Sequence, residues 1–238
     1  INGYASFANG GYKVENYFIQ RIEDSDGNIL FEASPKMSCI LCNDESSDFL
    51  EEGKLIDHAS MLYPKSSLAP RIISAENAYL ISDMMNDVVR RGTGRRAYNV
   101  LQREDLSGKT GTSNDRRDAW FAGFNKNIVA VSWVGFDQER SLGRYEEGGR
   151  TALPMWIEFM QEALKGIDSN LIEQPLGIVN VRINPDSGLA SSSIDQNTIF
   201  EKFRVGHIPQ REVQDLSTVR PEVGINEQED QDKVESIF

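Results

Sequence analysis

Basic residues are in short supply. Lys and Arg number 25 against 37 Asp and Glu in 238 residues, giving a formal net charge of −12. Binding nucleic acid takes clustered cations that neutralise phosphates, so this balance argues against a nucleic-acid partner. No apolar stretch approaches the roughly 18–20 residues that a membrane-crossing helix needs. Histidine occurs only at His58 and His207, both in polar segments with no nucleophile elbow nearby, so a Ser-His triad has no support. Cysteine occurs twice, as a lone C-x-x-C at Cys39 and Cys42. A redox pair of this kind would open a helix after a strand. A structural zinc would need two more ligands, and His58 is the only nearby candidate. Neither context is present. The pair reads as part of a surface insertion with free or locally paired thiols, and neither a metal nor a cofactor is expected. The first residues carry no signal-peptide pattern and Ile1 reads as the middle of an element, so the chain is expected to be a piece of a longer one.

Residues 1–12 read as the last turns of a helix, with Tyr4, Phe7 and Ala8 on one face and Gly10-Gly11 as a left-handed stop. Apolar segments 17–23 and 29–32 flank the turn signal Asp24 to Asn28 and predict a hairpin. Residues 33–70 are polar and aperiodic, which predicts a long surface excursion. Ser74 is a good N-cap, Glu76 suits the first turn, and Ala78, Ile81, Met85 and Val88 recur at helical spacing up to Arg91. Gly92-Thr93-Gly94 then stops that helix. Strands are expected at 105–112, 118–125 and 128–136, the last two joined tightly through Asn125-Lys126-Asn127 and therefore antiparallel. A glycine-rich loop from Ser141 to Arg150 leads into a helix beginning near Pro154, which should bury Trp156, Phe159, Met160 and Leu164 and stop at Gly166. Gly177 to Ala190 carries a strand-turn signal. From about residue 209 the chain is acidic and poor in aromatics, and a disordered tail is expected.

The chemistry concentrates at Lys109-Thr110-Gly111-Thr112, on the first of those strands. A Lys-Thr-Gly tripeptide is common, and alone it marks only a strand end with a solvated lysine. Its surroundings say more. Gly111 lets another backbone approach and pair as an added strand. Thr110 and Thr112 share a face, and the stem of Lys109 is long enough to reach round into a cleft. Two hydroxyls and an ammonium suit a substrate carboxylate, and the Thr112 N–H suits an oxyanion. The nucleophile that belongs with such a set is missing. No Ser is followed three places later by Lys, and no Ser-x-Asn occurs.

Taken in order, YASFANGGYKVENYFI, RGTGRRA, LSGKTGTSNDRRDAWFAGF, VAVSWVGFD and SLGRYEEGGRTALPMWIEFMQEAL resemble the C-terminal half of the transpeptidase domain of class A, bifunctional penicillin-binding proteins. VRINPDSGLA resembles the family's short C-terminal extension. The resemblance implies an α+β fold, with an antiparallel sheet packed by helices in part of a β-lactamase-like transpeptidase architecture. It divides the chain into residues 1–166 (with 33–70 as a loop insertion), an extension over 167–208 and the acidic tail 209–238. It implies D,D-transpeptidation of peptidoglycan stem peptides through an acyl-serine, with β-lactams as mimics of the D-Ala-D-Ala end. Lys109 would be catalytic, while Thr110, Gly111 and Thr112 would bind substrate. Gly92, Thr93 and Gly94 match a family loop and read as structural, and Asp118 and Trp120 read as fold support. The nucleophile motif, a glycosyltransferase domain and an N-terminal membrane anchor would all precede Ile1, placing the parent at the periplasmic face of a bacterial inner membrane. Without its serine the piece alone should be inactive. The alternatives are a serine β-lactamase or carboxypeptidase relative, which the loop at 141–150 disfavours, and a non-catalytic binding or sensor module.

Overall fold

A computed structural model describes residues 1–38, 67–192 and 197–211. Its architecture is α+β, and the central element is an antiparallel three-stranded sheet packed by helices. Helix α1 (Asn2–Ala8) ends where Gly10 and Gly11 take φ of +81° and +105°, the stop expected of that pair. Ser6 is its fully buried residue, whereas Tyr4, Phe7 and Ala8 are half-buried.

Strands β1 (Arg21–Glu23) and β2 (Ile29–Glu32) form the predicted antiparallel hairpin. Its turn holds itself. The Asp24 carboxylate accepts from the Asp26 and Asn28 backbone N–H groups and from the Asn28 amide, all at 2.8–2.9 Å. These bonds, the Asn28 side chain's foremost, hold Asp24 below the usual carboxylate range. The apolar run 17–19 is not strand, contrary to expectation. Pairing beyond the strand ends stops at the Ala33 N–H to Gln20 carbonyl bond, so Tyr17, Phe18 and Ile19 have no ladder to join and stay exposed.

Helix α2 (Ala75–Arg91) starts as predicted, with the Ser74 hydroxyl accepting from the Asn77 N–H at 3.3 Å. Glu76 in its first turn and Arg90 and Arg91 in its last suit the helix dipole. The buried stripe, however, is Ala78, Ser82, Met85 and Val89; Ile81 is exposed and Val88 half-buried. Ser82 explains the shift. Its hydroxyl donates to the Ala78 carbonyl at 2.8 Å, and its own carbonyl accepts from the Ser107 hydroxyl at 2.8 Å. A hydroxyl satisfied within its own helix can be buried, so a polar residue occupies a position where the hydrophobic pattern looks for an apolar one. A short helix, α3 (Arg95–Leu101), follows directly. It escapes the pattern because Ala97 is its only fully buried residue, and Gln102 closes it at φ +51°.

Strands β3 (Ser107–Thr112), β4 (Ala119–Phe124) and β5 (Val129–Val134) pair in that order; β3 starts two residues later than predicted and ends where predicted, and β4 and β5 are one or two residues shorter at each end. Thr110 faces Phe121 and then Ser132, and Gly111 faces Trp120 and then Trp133. At the tight β4–β5 connection the buried Asn125 side chain accepts from the Asn127 and Ile128 N–H groups at 3.0 and 2.9 Å. Helix α4 (Ala152–Ala163) covers the Phe121 face. Leu153, Trp156, Ile157 and Met160 are buried, with Leu164 just beyond, while Phe159 turns outward. The Trp156 and Phe121 rings meet edge-on at 4.9 Å, over space left by the missing side chain of Gly123. Full burial of each large side chain stabilises by about 1.5–3 kcal/mol.

Before β3, Asp105 is almost wholly buried and accepts four hydrogen bonds from three side chains. Arg103 donates to both of its oxygens at 2.9 and 2.7 Å, Asn125 at 3.2 Å and Ser169 at 3.0 Å. The Arg103 guanidinium also reaches the carbonyls of Ile167 and Asp168. The strand entry, the β4–β5 connection and the segment after α4 thus share one node.

The chain divides into two units, Ile1–Val179 with Lys202–Val205, and Asn180–Glu201 with Gly206–Phe238. In the first, Lys202 pairs with Asp83 at 2.6 Å. In the second, the predicted turn is present, with the Asn184 N–H bonded to the Leu189 carbonyl. Strand β6 (Ile178–Ile183) fits the signal at 177–190, while β7 (Ile199–Arg204), its sheet partner, was not expected. Readings that concern Cys39, Cys42, His58, residues 39–66 and residues 212–238 fall outside the described residues. Among the described residues, no helix is long and apolar enough to cross a membrane.

Candidate active-site wall

Among the described residues strand β3 is an edge of its sheet, and alternation puts Lys109 and Gly111 on one face and Thr110 and Thr112 on the other. The lysine stem bends back over the edge. Its Nζ donates to the Thr110 carbonyl at 3.0 Å and approaches the Thr110 hydroxyl at 3.4 Å. The ammonium and the Thr110 hydroxyl therefore lie together despite starting on opposite faces, as the reach of the side chain suggested. Lys109 is exposed and makes no ion pair among the described residues.

On the threonine face lies a cleft of about 360 Å³ lined by Thr93, Thr110, Thr112, Tyr145, Glu147, Gly149 and Arg150. Its far wall is the glycine-rich loop. The Gly148 N–H donates to the Thr112 hydroxyl at 3.1 Å, so the loop docks on the strand through backbone. A Cβ on Gly148 would run into the Trp120 and Gly111 carbonyl oxygens, neither of which can move without disturbing the ladder. Gly148→Ala is therefore expected to destabilise by about 1–3 kcal/mol, visible as a lowered melting temperature of the full-length protein; an unchanged one would show that the loop does not need this contact. Glu147 pairs with Arg116 at 3.3 Å. Arg150 makes no ion pair among the described residues and lies 5.9 Å from the Tyr145 ring centroid. Tyr145 holds φ at +80°, unusual for a residue with a large side chain.

Of the residues expected from the sequence, Thr110 and Thr112 line this cleft, whereas Lys109 and Gly111 start on the opposite face of the strand; the remaining lining residues were not expected at the site. Thr93, taken as structural, lies 3.0 Å from Thr110, hydroxyl to hydroxyl. The available signal was a hydroxyl residue between two glycines at a helix end. Tyr145, Glu147 and Arg150 belong to the loop whose glycines are the only hint that it lies flat on a strand. Asp118 supports the fold as expected. Its N–H donates to the Ser113 hydroxyl at 2.7 Å, closing the β3–β4 connection, and its carboxylate accepts from the Trp133 indole at 2.9 Å. Trp120 lies against Trp133 with the rings tilted by 39° and their centroids 5.8 Å apart, and it backs Gly111, where a Cβ would lie 3.1 Å from the Trp120 Cβ. His207 is exposed and lies outside this cleft. The Lys109 ammonium and the hydroxyls of Thr93, Thr110 and Thr112 gather at an edge strand, with Arg150 a second cation in the cleft lining, which is chemistry for holding an anionic, extended ligand.

Residues 1–152 match the family described as penicillin binding protein transpeptidase domain. Penicillin-binding protein 1A of Pseudomonas aeruginosa is 41% identical over 220 residues, which cover 84% of this chain and 26% of that protein. Its namesake in Vibrio cholerae is 40% identical over 232 residues, 87% of this chain and 27% of that protein. The crystal structure of penicillin-binding protein 1A from Haemophilus influenzae is similar with a TM-score of 0.74 and 38% identity, over 89% of this chain and 32% of that one. The chain thus spans about a quarter of the length of these two curated relatives.

Proposed function

Because this chain belongs to the penicillin-binding protein transpeptidase domain family, we propose that it forms one wall of a peptidoglycan D,D-transpeptidase cleft within a bifunctional synthase. In this reading residues 1–166 are the C-terminal part of the transpeptidase domain, 167–208 a short extension and 209–238 an acidic tail. The nucleophilic serine is contributed by a part of the parent outside these residues, since no Ser-x-x-Lys occurs in them. That serine attacks the penultimate D-Ala carbonyl of a stem peptide. A C–O bond forms, the C–N bond breaks, and terminal D-Ala leaves after its nitrogen gains a proton. An amine of a neighbouring stem then attacks the acyl-serine: a new C–N bond forms the cross-link, the C–O bond to the serine breaks, and a proton from the attacking amine passes to the serine oxygen, replacing the one that left with D-Ala.

The residues here would act on that sequence from one side. The stem peptide lies along the exposed edge of β3, where Gly111 allows close approach. The Thr110 and Thr112 hydroxyls hold the terminal carboxylate, the Thr112 N–H faces the developing oxyanion, and Lys109 stabilises negative charge and relays protons. β-Lactams would enter as mimics of the D-Ala-D-Ala end. The observation that carries the reading is the meeting of the Lys109 ammonium with the Thr110 hydroxyl on an edge strand. The serine β-lactamase, carboxypeptidase and sensor alternatives are not favoured by relatives that are named penicillin-binding protein 1A. The parent would be anchored in the inner membrane with this region on the periplasmic side.

Fluorescent penicillin tests the reading. The full-length protein should take the label and the isolated 238-residue piece should not. An unlabelled full-length protein would sink the transpeptidase reading; a stably acylated piece would overturn the assignment of the nucleophile to another part of the parent.

A further inference from the structure

Resting on that reading, we infer that Thr93 is a positioning residue for carboxylate recognition, holding the Thr110 hydroxyl in its binding orientation. The turn that bears it is constrained on both sides. A Cβ on Gly92 would lie 2.9 Å from the Val88 Cα, and one on Gly94 would lie 3.2 Å from both the Val88 oxygen and the Val89 Cα. Both glycine N–H groups bond the Val88 carbonyl, at 3.1 and 3.0 Å. The turn is thus pressed against the end of α2, and the one side chain it presents is Thr93. That hydroxyl lies 3.0 Å from the Thr110 hydroxyl, 17 residues further along the chain, and both line the same cleft. On the other flank a Cβ on Gly149 would lie 3.2 Å from the Thr93 carbonyl and 3.4 Å from the Thr110 methyl. The loop backbone thus comes close to both threonines.

The chemistry follows from what a hydroxyl can do. Thr110 has one proton and two lone pairs. The Lys109 ammonium approaches its oxygen, so the proton is available for donation. With the cleft empty, that proton can go to Thr93. When a carboxylate arrives, Thr110 turns its proton to the ligand, and Thr93 donates its own to the Thr110 oxygen in return. Thr93 thereby changes from acceptor to donor, and Thr110 remains fully bonded in both states. Valine at 93 keeps the shape but cannot make the exchange, whereas serine can. Thr93 touches neither substrate nor reacting atoms in this account, and it acts through Thr110.

The test uses the full-length protein and variants T93V and T93S, with acylation rate constants measured for a penicillin and for its carboxylate methyl ester. One hydrogen bond of this kind corresponds to about two- to tenfold in rate. T93V should lose that factor toward the free acid, T93S should recover most of it, and the preference for acid over ester should shrink in T93V while the melting temperature holds. Unchanged reactivity of T93V with the acid would overturn the inference, as would equal losses for acid and ester, which mark a purely structural role. A wild-type protein that takes no penicillin would instead bring down the transpeptidase reading, and this inference with it.

Discussion

Lys109→Ala in the full-length protein should lower penicillin acylation by about 10²–10⁴-fold, the range lost when a positioned proton carrier or charge stabiliser is removed. The exposed ammonium bonds the Thr110 carbonyl and hydroxyl, so the variant removes both the positive charge and a group that holds a hydroxyl oriented. Stability should hardly change, because the side chain is exposed and forms no ion pair among the described residues. Lys109→Arg sharpens the test. It keeps a charge, but the planar guanidinium cannot place a compact ammonium at the same point and cannot release a proton near neutral pH. A rate for Lys109→Arg close to wild type would limit the residue to electrostatics. Wild-type labelling of Lys109→Ala, measured at limiting penicillin, would remove Lys109 from the mechanism.

Asp105→Ala should be the most destabilising single change of those considered. It leaves the Arg103 guanidinium, with a side chain only 14% exposed, and the buried Asn125 amide without their shared acceptor. Breaking a buried pair by removing one partner costs about 3–5 kcal/mol, which in a domain of this size lowers the melting temperature by about 6–20 °C. Acid should produce a related loss. Burial alone would raise the Asp105 carboxyl, but the bonds from Arg103, Asn125 and Ser169 together outweigh it and hold the group below its ordinary value. A depressed folded value means stability that is fully present above the unfolded value, about pH 3.9, and is lost as pH falls through the folded one. The gap between wild type and Asp105→Ala should therefore narrow in strong acid. Calorimetry of the two proteins across pH decides it, and a variant that melts with wild type at neutral pH would show that the node bears no load.

The elements that could be read in advance were those whose signals are local. Ser74 announces its helix, the Asp24–Asn28 turn its hairpin, and Lys109 to Thr112 their strand. What escaped depends on partners distant in sequence. Ser82 takes an apolar position because its hydroxyl is satisfied by Ala78 and its carbonyl by Ser107, and hydrophobic periodicity gives a hydroxyl no credit. Phe159 is as apolar as Trp156, and only the direction from which the sheet approaches α4 decides which of them is covered. Helix α3 carries too little apolar surface to show a stripe. The cleft was legible on one wall only, since Thr93 and Arg150 reach it through tertiary folding that strand alternation does not encode.

Strand β5 has a further consequence for anyone handling this segment by itself. Among the described residues its outer edge pairs with no strand, and its sequence, VAVSWV, has no charge, no proline and strong β propensity. Such an edge is a template for aggregation, because a second copy can satisfy the open backbone groups as well as any native neighbour. The open edge of β5 is thus one determinant of the piece's solubility that lies outside the cleft lining, and a lysine at an outward position of β5 is the natural gatekeeper.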